Sequence, residues 1–532
     1  MQTKKSRLGY TIFIMLFTFC IYGGFYEWGI AAAALLIIAG IICSNLKYSF
    51  QVPLFPLIIL CIAILTTIWS IDYTENLLGI IRISAVVWWI IYCSALNKRE
   101  KEIAIASIPY MGIAMTICGF FTLLFDSIYP LFWSAQRFGG FFQYANTCAL
   151  FLLIGIIVLA EQMQAQLAKG KNWYRYIGFV ILLVGLLSTG SRSIMILFLL
   201  WGLTKGKKAA AGILLLGAGA YCYLLITGNQ QNIARIFTFL TSNSTIYGRL
   251  LYYLDALDII KAHPFGLGYM GYYYIQHSVQ RGVYTVRFVH NDFLQAGLDY
   301  GVAVMLIFTV YLIGQICKGK QTRLQKELLL IIGIASAADF HLQYFIIEII
   351  GALCLDLDYG IKWINKEVFL SKILKFALGV AASVYLLAAV PLLLDYLGDS
   401  YLALQCFPHY TRALEHELAT VQEPHVAVYY ADKILTHNQY VAAAWDAKAY
   451  DAAEAGDFQN AICYKDKVIE LERYNVEEYK RYDMMLKDMI MQSEELDYIT
   501  KKRVELPKQL EILKEQTRDI AYKIRDKPVF AW

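Results

Sequence analysis

Residues 180–203 read "VILLVGLLSTGSRSIMILFLLWGL", and the fold turns on whether they form one apolar helix or two. The basic residues of the chain decide between these. Lys and Arg collect at the cytoplasmic ends of membrane spans. Here they cluster at Lys4/Lys5/Arg7, Lys47, Lys98/Arg99/Lys101, Lys169/Lys171/Arg175, Lys205/Lys207/Lys208, Lys318/Lys320/Arg323/Lys326 and Lys362/Lys366/Lys372. All fall on one side only if 180–203 is a pair of short helices broken at Thr189-Gly190-Ser191-Arg192. One long helix would carry Lys205, Lys207 and Lys208 to the other side. Two helices are therefore expected.

The rest of the chain reads as a polytopic membrane protein. Of its 532 residues 58% are hydrophobic and only 17% charged, with a mean hydropathy of +0.49. A soluble chain carries about 25% charged residues. Apolar runs recur as far as Leu394. Spans are expected at 9–26, 29–44, 52–70, 77–96, 103–125, 139–160, 176–189, 193–204, 209–227, 291–317, 327–339, 342–361 and 373–395, about 13 in all. The first run, Tyr10 to Phe25, follows basic residues as a signal peptide would, but no small-residue cleavage site follows it. It reads as a span. The 11 cysteines lie mostly in apolar runs without CxxC spacing, which argues against a zinc site or a disulfide framework.

Two consequences follow from this topology. Residues 228–289 become a large external loop, and the region after Asp395 is external because the span number is odd. The expected division is a membrane domain, 1–395, and an external helical domain, 396–532.

The second domain carries a repeat. "YADKILTHNQYVAAAWDAKAYD" aligns with "YKDKVIELERYNVEEYKRYDMM". Asp432 matches Asp466, Tyr440 matches Tyr474 and Trp445 matches Tyr479, each pair 34 apart. That is the tetratricopeptide period. Flanking helices from Leu402 to Leu418 and from Leu506 to Ile524 would cap the pair. Such stacked helices serve either as a spacer or as a groove for a glycan or for polysaccharide-assembly proteins.

Charges inside spans are expensive and each needs an account. Arg82, in "LLGIIRISAVVWW", sits near a helix start and is expected to snorkel to the surface. Asp339 and His341, in "SAADFHLQY", are expected to line an external turn or a polar cavity.

A sharper group is Arg137, Arg192, Arg249, Arg287 and His290, all expected on the external side. Arginine forks bind phosphate in bidentate fashion and stay charged at low dielectric. Several together suit a lipid-linked phosphate or diphosphate, although each alone also suits a headgroup contact. His290 opens "HND" at the mouth of a span. Imidazole exchanges a proton near neutral pH, and Asn291 or Asp292 can cap the helix that follows. Asp292 is the second choice of base. "GLGYMG", Gly266 to Gly271, matches a dinucleotide pattern but lacks the flanking strand, so it reads as a flexible turn where backbone could approach a ligand. His263, His277 and His290 are too widely spaced for a metal site. Neither a cofactor nor nucleic acid is expected.

The order "RFGGFFQYAN", "STGSRS", "GRLLYYLDALDIIKAHPFGLG", "VHNDFLQAGLDYGV" and "ADFHLQY" resembles the O-antigen ligase and Wzy polymerase superfamily. The resemblance implies an all-α, GT-C-like membrane bundle in the bacterial cytoplasmic membrane. It implies a metal-independent enzyme that moves an undecaprenyl-diphosphate-linked oligosaccharide onto an acceptor hydroxyl at the outer face. His290, Arg249 and Arg137 then correspond to the essential residues. Arg192, Arg287, Asn291, Asp292 and Asn146 become substrate-binding candidates. The added C-terminal domain leaves the acceptor open among glycan, lipid and protein. A flippase for lipid-linked glycans and a non-catalytic assembly scaffold are the competing readings. Basic residues gathered on one face without inverted repeats disfavour the first, and His290 together with the arginines disfavours the second.

Overall fold

The structure is a computed structural model that describes residues 2–43, 48–49, 52–166, 173–206, 211–212, 244–364, 367–368, 372–492 and 496–530. Nearly all of the expected span 209–227 lies outside these residues, as do the first part of the 228–289 loop and Lys47, Lys169, Lys171, Lys207, Lys208 and Lys366.

Residues 180–203 are two helices, as the basic clusters require. Helix α7 (Trp173–Ser188) ends at Gly190, which has φ 59°, and α8 (Arg192–Thr204) begins after the extended Ser191. They follow α1 (Gln2–Cys20), α2 (Glu27–Cys43), α3 (Leu54–Thr66), α4 (Tyr73–Ser94), α5 (Lys98–Phe121) and α6 (Ala145–Gln166). Local signals set the starts. Asp72 accepts from the backbone N–H of Thr74 and Glu75, and Asn97 forms a capping box with Glu100. Each cap is worth about 1 kcal/mol.

Ion pairs and hydrogen bonds identify one end of the bundle. Arg7 at the start of α1 meets Glu100 at the start of α5 at 2.7 Å. Arg175 at the start of α7 donates to the Gln162 carbonyl near the end of α6 at 2.9 Å. Lys205, just past α8, meets Glu327 at 2.9 Å. The described basic clusters therefore share one end, and the break between α7 and α8 lies at the other.

The chain continues through α9 (Ser244–Ala262), α10 (Gly271–Val279), α11 (Asp292–Tyr300), α12 (Val302–Lys318), α13 (Arg323–Ser336), α14 (Phe345–Cys354) and α15 (Lys372–Tyr396). Four described stretches are long and apolar enough to cross a bilayer alone: Tyr73–Ser94, Lys98–Leu124, Ala145–Gln164 and Leu378–Tyr396. Shorter apolar helices, including α2, α8 and α14, pack against them. The protein is an all-α membrane protein, and the few strands among the described residues are two or three residues long.

Two expectations need correction. The span 291–317 is interrupted at Gly301, which has φ 91°, a region that side chains avoid. A Cβ there would stand 2.6 Å from the Pro264 carbonyl, and one on Gly266 would stand 2.5 Å from that of Asp299. "HPFGLG" is thus a tight turn packed on the α11–α12 junction, and the partner of its glycines is backbone. Arg82 does not snorkel. It is 7% exposed and donates to the carbonyls of Phe25 at 3.0 Å and Gln343 at 2.6 Å. Its charge lies 3.8 Å from Glu27.

Beyond α15 come α16 (Ser400–Cys406), α17 (Thr411–Thr420), α18 (Pro424–Leu435), α19 (Ala442–Glu454), α20 (Phe458–Leu471), α21 (Val476–Gln492) and α22 (Leu496–Gln516), then a 3-10 turn, Asp519–Lys523. The starts of α18 and α20, and of α19 and α21, are both 34 residues apart. Residues 402–418 are two helices rather than one, broken between Cys406 and Thr411. Apolar residues of α16–α19, including Ala403, Leu414 and Ile434, share a core with the membrane helices, while Ile462, Tyr482, Leu486 and Leu506 form a second core. Asp72 joins the two parts of the chain by accepting from Thr411 Oγ1 at 2.5 Å and Asn438 Nδ2 at 2.9 Å.

Candidate active site

The end of the bundle opposite the basic clusters holds a polar group built from five separated segments. Arg137 sits on the hairpin Trp133–Ser134/Arg137–Phe138, whose turn residues Ala135 and Gln136 have φ 45° and 61°. Two left-handed residues match the twist of a two-residue hairpin turn. Phe138 is fully buried beside Gly119, where a Cβ would meet its ring at 2.2 Å, so the hairpin is anchored on α5. Asn146 stands in the first turn of α6 and Arg249 on α9. His290 precedes Asn291, whose Oδ1 accepts from the N–H groups of Phe293 and Leu294, both at 3.0 Å, and so caps α11.

Asp339, in the turn between α13 and α14, joins them. It has no exposed surface. Its Oδ1 lies 2.8 Å from His290 Nδ1. Its Oδ2 accepts from Arg249 Nη2 at 2.9 Å and from Asn146 Nδ2 at 2.6 Å. The Tyr144 hydroxyl donates at 2.9 Å and the Phe340 N–H at 3.0 Å. Burial alone would raise the carboxyl's pKa. The hydrogen bond from His290 and the surrounding positive charge outweigh burial and hold it well below the usual carboxylate range. Nearby His341 is also fully buried, and desolvation pushes its pKa down to about 4.

The other arginines attach to this group at its edges. Arg137 donates through Nε to the Thr189 carbonyl and through Nη2 to Asn146 Oδ1, both at 2.8 Å. The broken helix of 180–203 therefore supplies a carbonyl that orients Arg137. Arg192 donates to Thr245 Oγ1 at 3.2 Å, one helical turn before Arg249. His290 has φ 55°, left-handed for a non-glycine residue, a conformation that costs about 1–3 kcal/mol. The Tyr253 hydroxyl, donating to the His290 carbonyl at 2.7 Å, helps hold it.

Chemically, a carboxylate on Nδ1 fixes the imidazole tautomer with its lone pair on Nε2. The His290 and Arg249 side chains are 21% and 22% exposed, so a ligand can reach both.

Residues 177–309 match the family model described as O-antigen ligase. Residues 177–309 are thus similar to an O-antigen ligase domain. Arg192, Arg249, Arg287 and His290 lie within the matched residues, whereas Arg137, Asn146 and Asp339 lie outside them. No curated protein and no solved structure matches the chain. The O-antigen ligase family implies glycosyl transfer between a lipid-linked glycan and an acceptor at a membrane.

Not every candidate reaches this polar group. Arg287 is engaged elsewhere, with Nη2 3.3 Å from Glu27 Oε1 and its guanidinium over the rings of Phe25 and Phe288. Glu27 also receives Arg412 at 3.2 Å and the Tyr269 hydroxyl at 2.8 Å. Asp292 is 4% exposed, accepts from the Leu342 N–H at 2.8 Å and lines a half-open pocket with Arg82, Gln295 and Asp299. Asn291 is occupied as a cap, and its Nδ2 donates to the Ala337 carbonyl at 2.9 Å. Tyr144 and the central role of Asp339 were not evident from the sequence. Its available signal was an acid between two apolar runs, which requires a partner at that depth.

Proposed function

We propose that this protein transfers an undecaprenyl-diphosphate-linked oligosaccharide to an acceptor hydroxyl at the outer face of the bacterial cytoplasmic membrane. The observation that carries the reading is the shared carboxylate: Asp339 holds His290 at 2.8 Å and Arg249 at 2.9 Å. With Nδ1–H bound to Asp339, Nε2 of His290 takes the proton of the acceptor hydroxyl. The freed oxygen attacks the anomeric carbon of the donor sugar. The bond from that carbon to the diphosphate oxygen breaks, and the diphosphate leaves with the electron pair. Arg249, aided by Arg137 and Arg192, neutralises the charge that grows on it.

In this reading the basic end of the bundle is cytoplasmic and the site end external. The C-terminal helices, with their 34-residue offset, form a tetratricopeptide-like external domain that meets the acceptor or assembly proteins. The test is transfer from a purified lipid-diphosphate glycan by the full chain in detergent. His290→Ala and Arg249→Ala should abolish transfer while inserting normally. Turnover by His290→Ala at the wild-type rate would remove the catalytic assignment.

A further inference from the structure

Helix α9 supports both halves of the site. Through Arg249 it donates to the Ala338 carbonyl at 2.7 Å and to Asp339 at 2.9 Å. Through Tyr253 it donates to the backbone of His290. A small displacement of α9 would therefore move the arginine and the histidine together relative to Asp339.

Something must hold α9 from its other side, and that is the end of the chain. Arg518 follows α22. Its Nη2 donates to Asp258 Oδ2 at 2.5 Å, and its Nε lies 3.5 Å from Asp255 Oδ1. Asp255 and Asp258 both belong to α9. Asp258 stands nine residues, or two and a half turns, beyond Arg249, which places it on the opposite face. Asp255 is 2% exposed and also accepts from the Arg281 N–H at 3.0 Å and the Tyr284 hydroxyl at 3.1 Å. Arg281 Nη1 shares Asp258 at 2.6 Å, and its carbonyl accepts from the Arg518 N–H at 3.3 Å. Next to these polar contacts, Ala521 and Ile524 pack with Leu251 and Tyr284. The packing is close: a Cβ on Gly282 would stand 2.6 Å from Leu251 and 2.8 Å from Ala521.

We infer that Arg518 is a positioning residue for the transfer, acting through Asp255 and Asp258 to hold α9 so that Arg249 addresses the diphosphate. The C-terminal domain is then part of the membrane site as well as an appendage for partners. This rests on the function proposed above.

The experiment measures binding of undecaprenyl diphosphate to the full-length protein in detergent. Arg518→Glu places a carboxylate against Asp255 and Asp258 and should weaken binding about ten-fold. Arg518→Lys keeps the charge and should stay close to wild type. Loss of folded protein would reduce the number of sites without changing the affinity of those that remain. If Arg518 works through Arg249, then Arg249→Ala combined with Arg518→Glu should bind no more weakly than Arg249→Ala alone. Wild-type affinity in Arg518→Glu, or an additive loss in the double variant, would overturn the inference. If Arg249→Ala itself bound like wild type, the proposed function would fall, and this inference with it.

Discussion

His290 Nδ1 lies 2.8 Å from Asp339 Oδ1, across 49 residues of chain and between two different helix termini. The pair assigns one ring nitrogen to the protein, and in the proposed function the other takes the acceptor proton. It also makes Asp339 as consequential as the histidine it orients.

Asp339→Asn should therefore lower transfer by roughly 10²–10⁴-fold, the range expected when the group that orients a base loses its charge. The pKa of Asp339 is lowered by folding, so its ionised form stabilises the native state above the ordinary carboxylate pKa, and that stability is lost as pH falls. Melting curves of wild type and Asp339→Asn in detergent should stay a constant distance apart from about pH 8 to 5. They should converge only below about pH 4. Convergence at pH 6 would contradict a buried, ionised Asp339.

Arg249→Ala should lower the transfer rate by on the order of 10²–10³-fold. Arg249→Lys should recover little of it, because Arg249 uses Nη1 on the Ala338 carbonyl and Nη2 on Asp339 together. A lysine can satisfy one of these but lacks the planar fork. Steady-state kinetics of the two variants side by side would check this.

Gly301→Ala should destabilise the protein by about 2 kcal/mol or more, since alanine would be strained at φ 91° and its Cβ would stand 2.6 Å from the Pro264 carbonyl. Gly351→Ala, inside α14 with nothing within 4 Å of an added Cβ, is the control and should not destabilise, gaining up to about 1 kcal/mol. Thermal melts of both in the same detergent give the comparison.

Cysteine placed at Phe265 or Gln459, on a cysteine-free background, should react with an impermeant reagent in intact cells. Phe265 is 74% exposed and Gln459 is exposed on α20, so neither is shielded by the fold. Protection of both until the cells are opened would reverse the proposed sidedness.

The sequence alone determined what depends on local pattern and near neighbours. Basic clusters required the break at Thr189–Arg192, and the structure ends α7 and begins α8 there because Gly190 is left-handed. The 34-residue offset between Asp432 and Asp466 reappears as the offset between helix starts. His290, Arg137 and Arg249 were singled out from motifs read in order, and the structure gathers them around Asp339 and Asn146. Only the tertiary structure decided which charges pair. Tyr144, Asn146, Arg249 and His290 lie far from Asp339 along the chain, and the carboxylate acquires its role when four segments bury it together. Arg82 looked able to reach solvent because its helix start is near, yet Glu27 and two carbonyls satisfy it inside. Arg287 looked like part of the site but turns to the same glutamate. A buried charge takes whichever opposite charge and acceptors the packing brings within a few ångströms, and that choice is a property of distances in space.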